Sequence, residues 1–175
     1  MKIRKANIND IDAVAGIYSQ IHTEEENGRV TIGWRRDVYP TVKTAEDALS
    51  RNDLFVMEDD TKVVGAAVIN KIQVDVYSKA KWEFEADDNE VMVLHTLVIT
   101  PSVSGRGYGK AFVAYYEQYA KDNGCRYLRI DTNEKNTGAR ALYKKLGYKE
   151  IDVLPCVFNG LKNVNMVLLE KKTEF

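Results

Sequence analysis

The sequence has few of the residues that mark specialised protein classes. Its 175 residues include only two cysteines, two histidines and three prolines. Cys125 and Cys156 fit no metal-ligand spacing and form no disulfide framework, so we expect no metal and reduced, buried thiols. No stretch approaches the roughly 18 apolar residues of a membrane span, and residues 1–16 lack the apolar run of a secretory signal. We therefore expect a cytoplasmic protein with no membrane partner.

Charge of neither sign dominates the chain. The 25 basic and 26 acidic residues give a net charge of −1, which argues against a general nucleic-acid binder, so we expect no nucleic-acid partner. With 45% hydrophobic and 29% charged residues, the composition is that of an ordinary globular protein, and the length predicts a single domain over residues 1–175. The oligomeric state stays open, a homodimer included.

Hydrophobic periodicity predicts a mixed α/β chain. Asn7 and Asp10 have the spacing of a helix N-cap, and a second, short helix is expected to open at Thr44 after an irregular stretch over residues 22–43. Residues 91–147 follow the order strand, glycine loop, helix, strand, helix, which is typical of parallel strands. Asn159–Gly160 predicts a hairpin near the C-terminus.

The sequence SGRGYGK, residues 104–110, concentrates three of the chain's 11 glycines within five residues. A glycine turn between a strand and a helix N-terminus exposes amide hydrogens and favours an anion. The spacing differs from a P-loop, because Ala111 stands where Ser or Thr is needed, and G-x-G-x-G is not a dinucleotide fingerprint. A phosphate-binding loop and a plain turn both remain open from these residues alone.

Two segments match a family pattern. Residues 97–113, LVITPSVSGRGYGKAFV, contain a strand that ends near a proline and leads into [RQ]-x-x-G-x-[GA], with Gly107 and Gly109 at the glycine positions. Residues 136–148, NTGARALYKKLGY, match N-x-x-A-x-x-L-Y-x-x-x-G-[FY]. On these motifs the chain resembles the GNAT N-acetyltransferase superfamily over roughly residues 91–150. The resemblance implies a mixed, mostly antiparallel sheet of about seven strands, with a parallel pair at the cofactor cleft and helices on both faces.

The resemblance also implies acetyl-CoA as the acetyl donor. The loop amides would hold its pyrophosphate, and the pantetheine arm would pair with a strand backbone as an added strand does. Ser104 stands at the position that is usually Arg or Gln, where its hydroxyl and the charge of Arg106 would serve the phosphates. The implied cofactor-binding residues are Leu97, Val98, Ile99, Ser104, Gly105, Arg106, Gly107, Tyr108, Gly109, Lys110, Asn133, Asn136 and Tyr143.

Three residues are candidates for acid–base catalysis. Tyr143 resembles the general acid of the family, and we expect it to donate a hydrogen bond to the departing thiolate. Strand alternation predicts that His95 shares a face with Leu97, and arylalkylamine N-acetyltransferases of this superfamily carry a catalytic histidine at a similar position. Glu90 is a second candidate base, acting through water. His22 is expected to be exposed and inert.

The resemblance places the acceptor beside residues 22–43 and 75–90. These segments supply the implied substrate residues, which are Trp34, Tyr39, Tyr77, Trp82, Glu83 and Phe84. Together with the acidic runs Glu24–Glu26 and 82–90, the aromatics favour a cationic small molecule or a peptide amine. An inactive acyl-CoA-binding module, a non-amine acceptor and a longer acyl donor remain alternatives.

Overall fold

The structure is a computed structural model that describes residues 1–174. Seven strands are present in this range: β1 (Lys2–Lys5), β2 (Leu54–Asp59), β3 (Lys62–Asn70), β4 (Val91–Ile99), β5 (Tyr127–Asn133), β6 (Lys149–Phe158) and β7 (Leu161–Lys172). The four α-helices of the same range are α1 (Ile11–Glu26), α2 (Val42–Ser50), α3 (Tyr108–Asp122) and α4 (Thr137–Lys145). None of these helices combines the length and apolar composition that a membrane-spanning helix requires.

All seven strands belong to one sheet in the order β1-β2-β3-β4-β5-β7-β6. Only β4 and β5 are parallel neighbours, and the other described pairs are antiparallel. Side chains alternate between the two faces, so α3 and α4 pack against one core cluster while α1 and α2 pack against another. This arrangement confirms the predicted mixed sheet with one parallel pair and helices on both faces.

The helix boundaries follow from local capping. Asn7 and Asp10 form the predicted capping box, on a short 3-10 turn that leads into α1. The predicted irregular stretch over residues 22–43 is too long at both ends, because α1 continues to Glu26 and α2 begins at Val42. Thr41 is the N-cap of α2, and its N–H donates to the Thr44 hydroxyl at 3.0 Å. Thr44 is therefore the third residue of that helix and not its start.

The two parallel strands separate in the middle of the sheet. Their pairing runs from Val91 with Tyr127 to Leu94 with Ile130. Beyond that point β4 stays with β3 and β5 stays with β7. A bulge marks the divergence, since the β3–β4 register shifts there and Thr96 has a φ of 50°. The carboxyl ends of β4 and β5 therefore form the walls of a cleft.

Candidate active site between the parallel strands

The cleft contains a cavity of about 130 Å³. Its strand walls come from the diverging ends of β4 and β5, α4 closes one side, and the loop after α1 and the β6–β7 hairpin cover it. The residues that line it include Trp34, Tyr39, Thr96, Leu97, Ile99, Asp131, Asn133, Asn136 and Tyr143. The structure thus brings together predicted residues from four separate parts of the chain.

Tyr143 lies on α4 and turns its side chain into this cavity. Only 6% of the residue is exposed, and its ring packs edge-on against Tyr148 at 6.0 Å between centroids. Burial, and then the negative charge of Asp131, raise the pKa of Tyr143 well above its ordinary value. The hydroxyl therefore keeps its proton near neutral pH and is suited to donating a hydrogen bond.

Asp131 is the charged residue of the cavity that the sequence analysis missed. It lies on β5 just past the last residue paired with β4, and its carboxylate accepts a hydrogen bond of 2.7 Å from the hydroxyl of Tyr77. Burial raises the pKa of Asp131 to about 6, while the hydrogen bond from Tyr77 acts in the opposite direction. The sequence contains a signal for Asp131, because an acidic side chain is unusual in a largely buried strand such as YLRIDTN and ordinarily has a specific role there.

The glycine turn follows Ile99, at the mouth of the cleft. Gly105 and Gly107 have positive φ values of 79° and 83°, and a Cβ at either would meet no atom within 4 Å. The first backbone bond into α3 is from Ala111 N to Gly107 O, at 3.0 Å. The three preceding helical N–H groups thus have no carbonyl one turn earlier to accept them, and the positive end of the helix dipole lies beside open space. This geometry fits a pyrophosphate.

The third glycine of the loop has a different environment. Gly109 is helical, and a Cβ there would lie 3.4 Å from Leu142 of α4, so its small size also serves helix packing. Tyr108 donates a hydrogen bond to Asp59, the last residue of β2, which fixes the start of α3. The other predicted phosphate ligands of the loop are exposed around the turn: Ser104, Arg106 and Lys110.

Two asparagines line the side of the cavity formed by β5 and α4. The Asn136 Oδ1 caps α4 by accepting from Ala139 N at 3.2 Å, and the Asn133 Oδ1 accepts from Lys135 N at 3.0 Å. Their side-chain amide groups remain as donors toward the cavity. A Cβ on Gly33 would lie 2.4 Å from Asn133 Nδ2, so the loop after α1 passes directly over this asparagine.

The predicted face of His95 is wrong. Leu94 and Leu97 pack in the same core cluster, although simple alternation would place residues three apart on opposite faces. The bulge at Thr96 supplies the extra residue, so His95 lies on the other face, in a second cavity of about 420 Å³. Its Nε2 donates to Asn70 Oδ1 at 3.0 Å, and burial lowers the pKa of His95 to about 4.

Glu90 and His22 also lie elsewhere. Glu90 ends a short 3-10 turn at the start of β4, about 20 Å of extended strand away from Leu97, and does not line the cavity. His22 is predicted to be exposed, but only 3% of this α1 residue is exposed. The loop that carries Pro40 covers it, and the His22 Nε2 lies 2.8 Å from the Pro40 carbonyl oxygen. The structure therefore brings neither residue to the cleft.

The predicted substrate residues divide into two groups. Trp34 and Tyr39 line the cavity, and the Tyr39 hydroxyl hydrogen-bonds to Thr96 in the bulge. Tyr77 is buried behind the cavity, where it reaches Asp131. Trp82, Glu83 and Phe84 are not in the cavity: they lie around Arg129 and Glu170.

The acidic runs do not line the cavity. Glu24 pairs with Arg29 and Glu26 pairs with Arg36, while the Glu25 carboxylate accepts the N–H groups of Ile32 and Gly33. In the second run, Glu83 pairs with Lys149. Three of the eight carboxylates in the two runs are thus paired with cations, and Glu25 holds the loop over the cleft. The expectation that these runs attract a cation to the acceptor site is corrected, because none of the eight lines the cavity.

The fold and the cleft define a class of mixed-sheet proteins in which a splayed parallel pair is flanked by a glycine turn and a buried tyrosine. The chain belongs to the acetyltransferase (GNAT) family, whose model matches residues 17–148. It is 30% identical over 100 residues to an uncharacterized N-acetyltransferase of Methanocaldococcus jannaschii, covering 57% of this chain and 40% of that protein. It is 29% identical over 66 residues to aminoglycoside N(6')-acetyltransferase type 1 of Salmonella typhimurium, covering 38% and 46%.

The matched segments thus span less than half the length of these two relatives. Among solved structures, the protein YncA of Salmonella typhimurium, whose structure holds its cofactor acetyl-CoA, superposes with a TM-score of 0.71 at 16% identity. That superposition covers 100% of this chain and 95% of YncA. At this identity the likeness shows the shared fold.

Proposed function

We propose that the protein transfers the acetyl group of acetyl-CoA to a primary amine, a small cationic molecule or a peptide amine, by direct attack in a ternary complex. The observation that carries the proposal is the cleft itself, with Tyr143 buried in its wall and the glycine turn at its mouth. Membership of the acetyltransferase family and the presence of acetyl-CoA in a protein of the same fold support it.

In this proposal the chain's residues bind, orient and move protons. The N–H groups at the start of α3 hold the pyrophosphate, and the unpaired edge of β4 from Leu97 to Ile99 accepts the pantetheine arm as an added strand. Bound acetyl-CoA supplies an activated acetyl thioester. Tyr143 donates a hydrogen bond to the sulfur as negative charge develops on it. Trp34 and Tyr39 face the acceptor.

The amine acceptor is supported by the chemistry of the cavity and by the named relatives. A lysine-like amine has a pKa near 10.4, so only about one molecule in 2,500 is neutral at pH 7, and a site that uses it needs a proton acceptor. Asp131 is a carboxylate inside the cavity, and the aminoglycoside relative is by its name an N-acetyltransferase.

The experiment is a measurement of thiol release from acetyl-CoA across a panel of amines, polyamines, aminoglycosides and peptides. The proposal predicts that at least one primary amine accelerates thiol release well above the rate with buffer alone. Tight acetyl-CoA binding with no acceleration by any amine would instead favour an inactive acyl-CoA-binding module. Acceleration only by alcohols or thiols would contradict the amine acceptor.

A further inference from the structure

We propose that Asp131 is the proton acceptor of this site, and that its carboxylate binds the ammonium form of a primary amine and removes one proton from it before the attack. The inference rests on the proposed function and adds to it a catalytic residue and the protonation state in which the acceptor enters. It is carried by the position of Asp131 in the cavity and by the missing counter-charge around its carboxylate.

The carboxylate of Asp131 has a hydrogen bond but no cation. Tyr77 donates to its Oδ2 at 2.7 Å, and within residues 1–174 no lysine, arginine or histidine forms a salt bridge with it. Buried carboxylates are ordinarily paired, because an isolated buried charge is costly. The part of Asp131 that remains exposed faces the cavity, so a bound ammonium group would supply the missing partner.

The nearest cation on the same strand, Arg129, lies two residues away and is paired with Glu170. The titratable groups that face Asp131 from the surrounding elements are neutral acids. They are Tyr39 from the loop after α1, Tyr77 from the 3-10 turn after β3, Tyr143 from α4 and Cys156 from β6. Because none of them supplies positive charge, burial dominates and raises the pKa of Asp131 to about 6. The carboxylate is thus a stronger base than an ordinary aspartate and is still mostly ionised at pH 7.

The step balances without any further reactant. One proton passes from the ammonium nitrogen to an Asp131 oxygen, which leaves a neutral amine with a free electron pair. That nitrogen forms the C–N bond with the acetyl carbon, the C–S bond breaks, and the sulfur keeps the bonding pair. The second proton lost by the nitrogen balances the thiolate, giving amide and thiol, and Tyr143 holds its hydroxyl toward the sulfur. Asp131 then releases its proton to solvent.

The test compares two variants with wild type and one control. Asp131→Asn keeps the volume and an oxygen that accepts from Tyr77, but it removes the base. Tyr77→Phe removes the hydrogen bond that lowers the pKa of Asp131, so that pKa must rise. Asp53→Asn is the control, because Asp53 is a buried aspartate that lies beside Arg51 and Asn70, outside the cavity.

Two readouts are measured: the pH dependence of kcat/KM for the best amine of the panel, and a carbon-13 NMR titration of the aspartate carboxyls in the free protein. Wild type should lose activity below about pH 6 as Asp131 takes up a proton. Asp131→Asn should lower kcat/KM by about 100-fold or more at pH 7.5 and abolish this limb. Tyr77→Phe should move both the limb and the NMR midpoint to higher pH, and Asp53→Asn should leave the limb in place.

The inference is overturned if Asp131→Asn keeps the acidic limb and activity within threefold of wild type. It is equally overturned if Tyr77→Phe shifts the NMR midpoint of Asp131 but not the limb, or if no aspartate of wild type titrates near pH 6. The titration and the Tyr77→Phe profile decide the question even if Asp131→Asn fails to fold. No thiol release by wild type with any amine would defeat the proposed function itself, and this inference with it.

Discussion

Tyr143 and Asp131 line the same cavity, but burial leaves them in different protonation states at neutral pH. Burial favours the neutral form of each, so the pKa of Tyr143 lies far above neutrality, while the pKa of Asp131 reaches only about 6. At pH 7 the tyrosine is therefore a donor and the aspartate is mostly an acceptor. A site that must stabilise a leaving thiolate and deprotonate an ammonium needs one of each.

The first prediction at the residue scale concerns the hydroxyl of Tyr143. Tyr143→Phe should lower kcat by about 10- to 100-fold while KM for acetyl-CoA changes less than threefold, because the hydroxyl acts mainly in the transition state. Steady-state kinetics at saturating amine measures both parameters. Tyr148→Phe is the matched control, since it removes a hydroxyl from the neighbouring buried ring, which does not line the cavity. Equal kcat values for the two variants would remove Tyr143 from the mechanism.

The second prediction concerns the effect of Asp131 on stability. Its pKa is raised on folding, so between about pH 4 and 6 the native state binds more protons than the unfolded state, and stability contributed by this group falls as pH rises. Asp131→Asn should remove that loss. The change in unfolding free energy that this substitution causes should therefore be more favourable at pH 8 than at pH 4, by up to about 3 kcal/mol. Urea unfolding at the two pH values measures the difference, and an equal effect at both would contradict the raised pKa.

At the scale of the elements, β4 shows what the sequence predicts and what it does not. The strand expected at the start of residues 91–147 is present as β4, Val91 to Ile99, because the continuous β-branched and apolar run VMVLHTLVI has few other solutions. The bulge at Thr96 has no local signal, since neither glycine nor asparagine occupies the positive-φ position. Alternation carried across that bulge therefore placed His95 on the wrong face.

The remaining misses are polar residues whose environment depends on distant contacts. The burial of His22 depends on the loop that carries Pro40, and the neutralisation of Glu83 depends on Lys149, 66 residues away. The importance of Asp131 depends on Tyr77, 54 residues away. Local patterns do not encode such pairings. The motifs around the glycine turn and Tyr143 were found because their residues lie close together in the chain.

The prediction at the element scale tests the glycine turn. Gly107→Val places a branched side chain in the open space before α3 and forces it into a positive φ, so acetyl-CoA affinity measured by calorimetry should fall at least tenfold, which is about 1.4 kcal/mol. Gly124→Val is the matched control, because Gly124 has a φ of 74° with equally open space at the other end of α3. Equal affinity of the two variants would refute the assignment of the turn to the pyrophosphate.

For the whole molecule, the cleft requires that two halves of the sheet separate while the strands within each half stay paired. In the half that contains β5 and β7, Arg129 of β5 and Glu170 of β7 lie opposite each other and form a salt bridge. Their side chains are 5% and 0% exposed. Arg129 also stacks over Trp82 at 4.0 Å and donates to Gln73, while Glu170 accepts backbone N–H groups at residues 83 and 84. This cluster attaches the segment that carries Tyr77 to the cleft wall.

The prediction at this scale is that the buried pair supports the fold of the cleft wall. Arg129→Met leaves Glu170 as an uncompensated buried charge and should lower the unfolding free energy by about 3–5 kcal/mol. Adding Glu170→Met should recover more than half of that loss, because the double variant removes both charges. Urea unfolding measures all three proteins. A single variant within about 1 kcal/mol of wild type would show that the pair contributes little.

In the proposed reaction, acetyl groups pass from acetyl-CoA to an amine in the cleft between β4 and β5. The most direct measurement is a single turnover of wild-type protein with acetyl-CoA and the best amine, in which mass spectrometry counts acetylated amine and a thiol assay counts free CoA. Direct transfer in the cleft should give one acetylated amine for each CoA released, and Tyr143→Phe should strongly reduce this transfer. CoA release without acetylated amine, or equal transfer by Tyr143→Phe, would contradict it.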